Sequence, residues 1–487
     1  MILSTDRAVR GQVSDMRGVS LPTLDVMRFN HGWAEGSEPE VSAGGVRGSR
    51  GHVLGTAAGP IESIAVLRPG LETVPVRDGP VDASTERMIN MAQVIAKRAE
   101  VVQRILRPFF DTVMQPPIPG LPMIADFRAG DPQEPALPGL VDALQRCSTP
   151  TSTDWFAYRL THEPARRAAA ASLTSELGIE FSAEDVFLTR GASGAIALAL
   201  HTVIDPGDEV VFLSPPWFFY EAMIHTSGAT PVRVRLEPPA FDLDVAAIVS
   251  VLGPRTRAVI INTPHNPTGR IYSAAALKRL AQGLAEAGEQ YGRPIWLISD
   301  EAYCRILFDN RSFISPGLYH PYSILARTYT KSALAPGQRL GFLALAPGLP
   351  EAEIMRKVLP RVIYSSGLAM PDAVMQYAMP DIDGLLIDMA ALQRRRDDMV
   401  AVLREQGYEV HSPEATFYLM PRAPMDDDRT FCALLAEQGV AVLPGRVIEL
   451  PGYFRISLTV PDETAERSLP IFARAIEQAR SIVRRQP

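Results

Sequence analysis

The feature that most constrains the fold is an alternation, from about residue 150 onward, of short apolar runs with longer amphipathic runs. The short runs are rich in Val, Ile and Leu and carry few charges, which is typical of strands buried on both faces. Runs such as 273–292 repeat apolar residues at helical spacing. The sequence therefore predicts an α/β fold with a mostly parallel seven-stranded sheet sandwiched by helices. The predicted strands are 185–189, 209–214, 231–236, 257–262, 294–299, 323–328 and 340–345.

Four regions of the chain differ in composition and pattern. Residues 1–85 contain no lysine and no sustained helical or strand period, so we expect a poorly ordered N-terminal extension. Residues 86–150 begin with a helical pattern and are interpreted as an N-terminal helical arm and part of a smaller domain. The large domain is predicted over residues 151–350, and residues 351–487 are predicted to complete the smaller α+β domain. A length of 487 residues agrees with more than one domain.

The charge balance restricts the class of ligand. The chain has 48 Lys plus Arg and 55 Asp plus Glu, and this net charge of −7 disfavours nucleic acid and anionic membranes as partners. No apolar run is long enough to span a membrane and the first residues lack the core of a signal peptide, so a cytoplasmic location is expected. The three cysteines lie far apart and no HExxH motif occurs, so no metal site is expected. Small molecules are the expected ligands.

Short motifs directly follow several predicted strands, which is where parallel sheets bind their ligands. After Thr189 comes RGASGAIALAL, whose small residues open a helix and leave backbone N–H groups free to bind an anion, although such turns also serve tight packing alone. PPWFFYE follows the next strand and supplies Trp217, whose ring suits either the core or one face of a planar ligand.

Polar side chains follow two further strands. TPHNPTG holds Asn266 beside a proline, which is typical either of a turn or of a fixed amide donor. DEAY places Asp300 at a strand end and Tyr303 about one turn later, and a carboxylate there is either a helix cap or part of a site.

Lysine is scarce, and one lysine occupies an unusual position. The chain has only Lys97, Lys278, Lys331 and Lys357, and three of them lie at polar positions of helical patterns. Lys331 instead follows a predicted strand in RTYTKSALAPGQRLGF, eight residues before Arg339. Burial or a cationic neighbour can prepare a lysine amine for imine formation. One ligand would use all the groups expected at this sheet edge: an amine, an anion cradle, an aromatic plate, an amide, a carboxylate and a guanidinium. That ligand is pyridoxal 5′-phosphate.

These motifs, in this order, resemble those of the class I/II aminotransferases, which are fold-type I pyridoxal-phosphate enzymes of the aspartate aminotransferase superfamily. The resemblance covers roughly residues 120–480 and rests on GASGAI, PPWFFYE, HNPTG, DEAY, TYTKSALAPGQRLG and FRISL. It implies a transaminase that moves an amino group between an L-amino acid and a 2-oxoacid through an internal aldimine on Lys331.

The resemblance also implies a role for each residue at the cofactor. Asp300 would pair with the protonated pyridine nitrogen, and Asn266 and Tyr303 would hydrogen-bond the phenolic oxygen. Trp217 would stack on the ring. The phosphate would be held by the backbone amides of Ser193 and Gly194 and by the side chains of Thr328, Thr330 and Arg339.

On the substrate side, Arg455 in FRISL resembles the arginine that binds the α-carboxylate, and Gly130 and Asn266 would line the same place. Tyr158 resembles the tyrosine that reaches the phosphate of a neighbouring subunit, which implies a homodimer.

Recognition of the substrate side chain stays open. An acidic side chain would need a further arginine; the candidates are Arg128, Arg159 and Arg270, with surface exposure as the alternative for each. Ala415 stands where the family pattern PxGxFY has glycine. The resemblance is therefore least informative about the loops that line the pocket for the substrate side chain.

Two alternative functions also stay open. One is a lyase, synthase or oxidase on the same fold. The other is a transcription regulator with an aminotransferase-like domain, which is disfavoured because residues 1–85 show no helix-turn-helix pattern and Arg455 is present.

Overall fold

The computed structural model describes residues 94–368 and 370–485, so the predicted N-terminal extension, residues 1–85, lies outside the described residues. None of the described helices is long and apolar enough to cross a membrane. The helices are α1 (Lys97–Val113), α2 (Pro138–Ser148), α3 (Glu163–Leu177), α4 (Gly191–Val203), α5 (Tyr220–Thr226), α6 (Val245–Ser250), α7 (Ala274–Tyr291), α8 (Ala352–Ser365), α9 (Ala373–Ile382), α10 (Met389–Glu405), α11 (Asp428–Glu437) and α12 (Asp462–Arg485). The strands are β1 (Ala125–Asp126), β2 (Val186–Thr189), β3 (Glu209–Ser214), β4 (Thr230–Arg235), β5 (Thr256–Asn262), β6 (Trp296–Asp300), β7 (Ser323–Thr328), β8 (Gly341–Leu345), β9 (Tyr418–Leu419), β10 (Val440–Ala441), β11 (Leu443–Pro444) and β12 (Phe454–Ser457).

One sheet contains the strands β2 to β8, in the order β2-β8-β7-β6-β5-β3-β4. Neighbouring strands are parallel except at β8, which runs antiparallel to both β2 and β7. Every strand of this sheet begins and ends within two residues of a predicted strand. The predicted mostly parallel, seven-stranded sheet is therefore confirmed.

Both faces of this sheet are covered by helices. In β3, Val210 and Phe212 pack with residues of α4 such as Ile196, whereas Val211 and Leu213 pack with residues of α6 and α7. Successive side chains of a strand point to opposite faces, so a strand without polar residues requires an apolar layer on each side. This requirement explains why the uninterrupted apolar runs predicted a sandwiched sheet.

A second core lies mainly in the C-terminal part of the chain. It combines the antiparallel sheet β11-β12-β9, the parallel pair β1 and β10, and helices α10, α11 and α12 around aromatic residues such as Phe454 and Phe472. Helices α8 and α9 pack with the large sheet instead, through residues such as Leu359 and Met379. The boundaries of the two domains stay a prediction.

The strand directions bring distant segments of the chain to one edge of the large sheet. Strands β2, β3, β5, β6 and β7 end at this edge because they run in the same direction, and β8 begins there because it is reversed. Arg339, shortly before β8, therefore meets the motifs that follow the parallel strands.

A buried ion pair joins the ends of β6 and β7 at this edge. Glu301, directly after β6, is 0% exposed, and its Oε2 lies 2.7 Å from Nε of Arg327 in β7. Arg327 also pairs with Glu176 of α3. Asp300 and Thr328 are the chain neighbours of this pair, so the pair holds both of them in place.

We expect Arg327→Leu to lower the free energy of unfolding by about 3–5 kcal/mol, because it leaves the carboxylate of Glu301 buried without its cation. Arg255→Leu is the matched control, since the Arg255 side chain pairs with Glu209 but is 71% exposed. We expect Arg255→Leu to lower the free energy of unfolding by less than about 1 kcal/mol. Urea unfolding measures both, and equal losses would contradict the assignment of the buried pair.

Candidate active site

A cavity of about 270 Å³ opens at the edge where the parallel strands end. Its lining includes every predicted site residue except Gly194 and Tyr158. The predicted residues that line it are Gly130, Ser193, Trp217, Asn266, Asp300, Tyr303, Thr328, Thr330, Lys331, Arg339 and Arg455. The sequence analysis did not single out Phe109, Asn262 and Tyr418, which line it as well.

The amino end of α4 opens into this cavity. Gly191 begins the helix with a φ of 75°, and a Cβ atom there would lie 2.8 Å from Nη2 of Arg339, so only glycine fits. Ala192 and Ser193 of the first turn line the cavity, whereas Gly194 does not. Backbone N–H groups of a first helical turn have no partner within the helix, so they favour an anion here.

Arg339 adds a positive charge to this end of the helix. Its Nη2 donates to Ser193 Oγ at 3.0 Å and to the carbonyl oxygen of Arg190 at 3.1 Å. It has no carboxylate partner in residues 94–368 and 370–485, and burial together with the charge of Arg190 lowers its pKa. Thr328 and Thr330 bring their hydroxyl groups within 2.9 Å of each other in the same cavity lining. These groups form a site for a multiply charged anion.

Asp300 is a buried carboxylate with few partners. It ends β6, is 5% exposed, and accepts hydrogen bonds from the hydroxyl group of Tyr220 and, at 3.1 Å, from the backbone N–H of Ala302. Burial raises the pKa of Asp300 to about 6, although both hydrogen bonds and the charge of Lys331 act in the opposite direction. A cation in the cavity would stabilise this carboxylate further.

Tyr220 is a hydrogen-bond partner of Asp300 that sequence reasoning missed. It lies three residues after Trp217, and the two ring centroids are 5.3 Å apart with the rings nearly perpendicular. Four consecutive aromatic residues follow Pro216, and the sequence analysis singled out only Trp217 among them. The hydrogen bond to Asp300, 80 positions along the chain, is set only by the packing of the helices on the sheet.

Two further polar pairs shape the walls. Asn262 at the end of β5 donates from Nδ2 to the carbonyl oxygen of Asp300 at 2.9 Å and accepts at Oδ1 from the N–H of Asn266 at 2.7 Å. Asn262 therefore ties β5 to β6 and orients the backbone of Asn266. On another wall, the hydroxyl oxygens of Tyr303 and Tyr418 lie 3.2 Å apart.

Lys331 is the one lysine among the residues described as lining the cavity. Its Nζ lies 6.0 Å from the ring centroid of Tyr303 and 5.7 Å from that of Phe417. The other lysines of the chain are exposed on α1, α7 and α8. Their exposure agrees with the prediction that they are solvated.

Arg455 brings a second guanidinium group into the cavity from β12. It is 2% exposed; its Nη2 donates to the carbonyl oxygen of Arg128 at 2.9 Å, and its Nε has no partner within the described residues. The guanidinium lies 4.1 Å over the ring of Tyr418. A Cβ atom on Gly130 would lie 2.5 Å from the hydroxyl oxygen of Tyr418, so glycine keeps this space open. A buried guanidinium with an unused donor is suited to bind a carboxylate.

The remaining predicted residues lie away from the cavity lining. Tyr158 is 98% exposed. The three arginines considered for an acidic side chain form ion pairs elsewhere: Arg128 with Asp126, Arg159 with Asp154, and Arg270 with Asp242 and Glu414. Arg128 is 7% exposed, so the alternative of surface exposure is wrong for this residue.

Comparisons with known proteins find a family and several relatives that this chain resembles. The family model described as aminotransferase class I and II matches residues 123–470. The aspartate/prephenate aminotransferase of Thermus thermophilus is 30% identical over 326 residues, which are 64% of this chain and 81% of that protein. A probable N-succinyldiaminopimelate aminotransferase of Mycobacterium tuberculosis is 34% identical over 294 residues, or 58% of this chain and 71% of that protein.

Solved structures share the fold. An amino transferase from Eubacterium rectale superposes with a TM-score of 0.70 at 25% identity, covering 81% of this chain and 98% of that chain. The N-succinyldiaminopimelate aminotransferase of Mycobacterium tuberculosis superposes with a TM-score of 0.64 at 29% identity, covering 72% of this chain and 93% of that one.

We expect Asp300→Asn to stabilise the protein without cofactor, and only above about pH 4. The folded state raises the pKa of this carboxyl from 3.8 to about 6. Between these values the folded protein holds a proton that the unfolded chain releases, so the wild type loses stability as the pH rises through this window. Because asparagine does not ionise, the variant should exceed the wild type by up to about 3 kcal/mol above pH 6 and match it near pH 4. Urea unfolding across this range measures the difference, and a difference independent of pH would contradict the raised pKa.

Proposed function

This chain belongs to the aminotransferase class I and II family, and we propose that its cavity holds the cofactor with Lys331 as the reacting amine. Enzymes of this family use pyridoxal 5′-phosphate, and the chain is an aminotransferase acting on amino acids and 2-oxoacids. One observation carries the proposed site: an anion cradle, a buried carboxylate and a single lysine surround the same cavity in the described part of the chain.

The residues around the cavity fit the parts of this cofactor. Arg339, which has no carboxylate partner among the described residues, suits the phosphate. Asp300, whose pKa burial raises, suits the protonated pyridine nitrogen. Trp217 offers a flat ring for stacking, and Asn266 and Tyr303 offer hydrogen-bond donors for the phenolic oxygen.

When bound, the cofactor supplies an aldehyde for the amino group and a ring that accepts the electrons of the Cα–H bond. Nζ of Lys331 would hold the cofactor covalently and, once a substrate amine replaces it, move the proton from Cα. The rings of Tyr303 and Phe417 lie beside this amine and give it partly apolar surroundings.

Arg455 would bind and orient the substrate. Its guanidinium lines the cavity with Nε unpaired among the described residues, and a bidentate bond to the α-carboxylate would use this donor. Gly130 leaves room for the carboxylate beside Tyr418. Holding the carboxylate at a fixed place turns the Cα–H bond toward Lys331.

The comparisons support aminotransferase activity over the two alternative functions. A lyase, synthase or oxidase would share the fold but would turn over with one substrate. The regulator hypothesis depended on residues 1–85, which lie outside the described residues.

We also propose a homodimer in which Tyr158 reaches the phosphate bound by the neighbouring subunit. Tyr158 is 98% exposed and Phe156 is 60% exposed, so this segment presents large rings outside its own cavity. Exposed aromatic side chains are enriched where two proteins meet.

The cytoplasmic location stays a prediction.

With a single amino acid and no added 2-oxoacid, we expect the cofactor-loaded protein to release one 2-oxoacid per subunit and then stop. Turnover should resume when a second 2-oxoacid is supplied. Lys331→Ala should abolish this release, while Lys278→Ala, on the exposed face of α7, should not change it. After borohydride reduction, mass spectrometry should find the cofactor on the peptide of Lys331. Continued turnover with one amino acid, or the label on another residue, would contradict the proposal.

Mixing Tyr158→Ala with Lys331→Ala tests the shared site. In a mixed dimer one site has both changes and the other has neither, so activity at limiting cofactor should exceed that of either variant alone. If subunits exchange, as tagged copurification can verify, but no activity returns, each site uses its own Tyr158 and the proposal is wrong.

A further inference from the structure

One wall of the cavity consists of apolar side chains from the helix α1. Phe109, Val113 and Met114 line the cavity together with Phe218 and Phe219, which follow Trp217. The residues of α1 precede the range 123–470 that the family model matches. Phe218 and Phe219 belong to the motif PPWFFYE inside this range, so the residues of α1 are the part of the wall that the family model does not match.

The aromatic residues of this wall are continuous with the ring proposed to stack on the cofactor. The ring of Phe109 stacks on that of Phe218 with centroids 4.1 Å apart and meets Phe219 at 5.3 Å. Phe219 in turn lies 5.1 Å from Trp217. A substrate held near Trp217 would meet this aromatic surface with its side chain.

Arg128 holds the wall in position. Its Nη1 donates to the backbone carbonyl oxygens of Thr112 and Gln115, at the end of α1, while its other nitrogens pair with Asp126. No residue of α1 is fully buried, so packing alone fixes this helix weakly. Arg128 thus anchors the wall instead of binding an acidic substrate.

The charges of the cavity disfavour an acidic side chain. The cations that line it are Lys331, Arg339 and Arg455, and each already has a proposed partner in the cofactor or the α-carboxylate. Asp131, next to Gly130, also lines the cavity but is exposed to solvent. A substrate carboxylate at this wall would meet an apolar surface, which costs free energy.

From this wall and these charges we propose that the enzyme prefers amino acids with aromatic or large apolar side chains, which pack against Phe109 and Phe218. This inference rests on the proposed function, because it places the α-carboxylate at Arg455. The name of the aspartate aminotransferase relative from Sulfurisphaera tokodaii states an acidic amino acid for that protein instead.

Calorimetric binding to the cofactor-loaded protein tests the preference without turnover. The probes are 3-phenylpropionate, succinate, and propionate as a carboxylate without a large side chain. We expect 3-phenylpropionate to bind at least about tenfold more tightly than succinate.

Variants of two adjacent phenylalanines locate the site. Phe109→Ala should weaken 3-phenylpropionate binding by about tenfold and leave propionate binding unchanged. Phe110→Ala is the matched control, since Phe110 is 47% exposed and lies outside the lining of this cavity. Phe109→Leu keeps an apolar side chain, so its affinity for 3-phenylpropionate should lie between those of the wild type and Phe109→Ala. This variant guards against a folding defect in the alanine variant.

Succinate binding as tight as that of 3-phenylpropionate would overturn the preference. Equal effects of Phe109→Ala and Phe110→Ala would overturn the assigned wall. These failures are distinct from failure of the proposed function, which would appear as no release of 2-oxoacid from any amino acid while 3-phenylpropionate still binds.

Discussion

The burial of a carboxylate at the end of a central parallel strand is the constraint on which the rest of this structure depends. Asp300 is removed from water on β6, and an ionised group there needs partners that replace the lost hydration. The hydroxyl group of Tyr220 and the N–H of Ala302 provide part of this replacement. Asn262 holds the strand end from one side, and the pair of Glu301 with Arg327 holds it from the other.

Three charged groups that line the cavity are only partly neutralised by the described residues. Arg339 lies at the amino end of α4 without a carboxylate, Arg455 has an unpaired Nε, and Asp300 has a raised pKa. A folded protein gains stability by neutralising such groups, so their coexistence in one cavity indicates that ligands supply the missing partners. A phosphate, a carboxylate and a protonated ring nitrogen are the partners that these three groups would take.

The proposed substrate wall includes residues that the family model does not match. The groups proposed to act on the cofactor follow strands within residues 123–470, where the family model matches. The helix α1 lies before this range and contributes Phe109 to the cavity. Its position depends on Arg128, whose donors reach backbone carbonyl oxygens and not the cavity. A substitution on α1 can therefore change the preference for a side chain without touching the groups that move the proton.

The sequence by itself determined the strands of the large sheet, their mostly parallel arrangement and most of the residues of the candidate site. Uninterrupted apolar runs require two covering layers, and parallel strands bring the residues after them to one edge, so local patterns were sufficient for Asp300, Asn266 and Lys331. Only the tertiary structure decided that Tyr220 donates to Asp300 and that Arg128 anchors α1. These contacts join segments from different elements, and their distances follow from how helices pack on the sheet, which no local pattern encodes. The side-chain wall around Phe109 was missed for the same reason, because nothing in the helical pattern of α1 tells which of its faces meets the cavity.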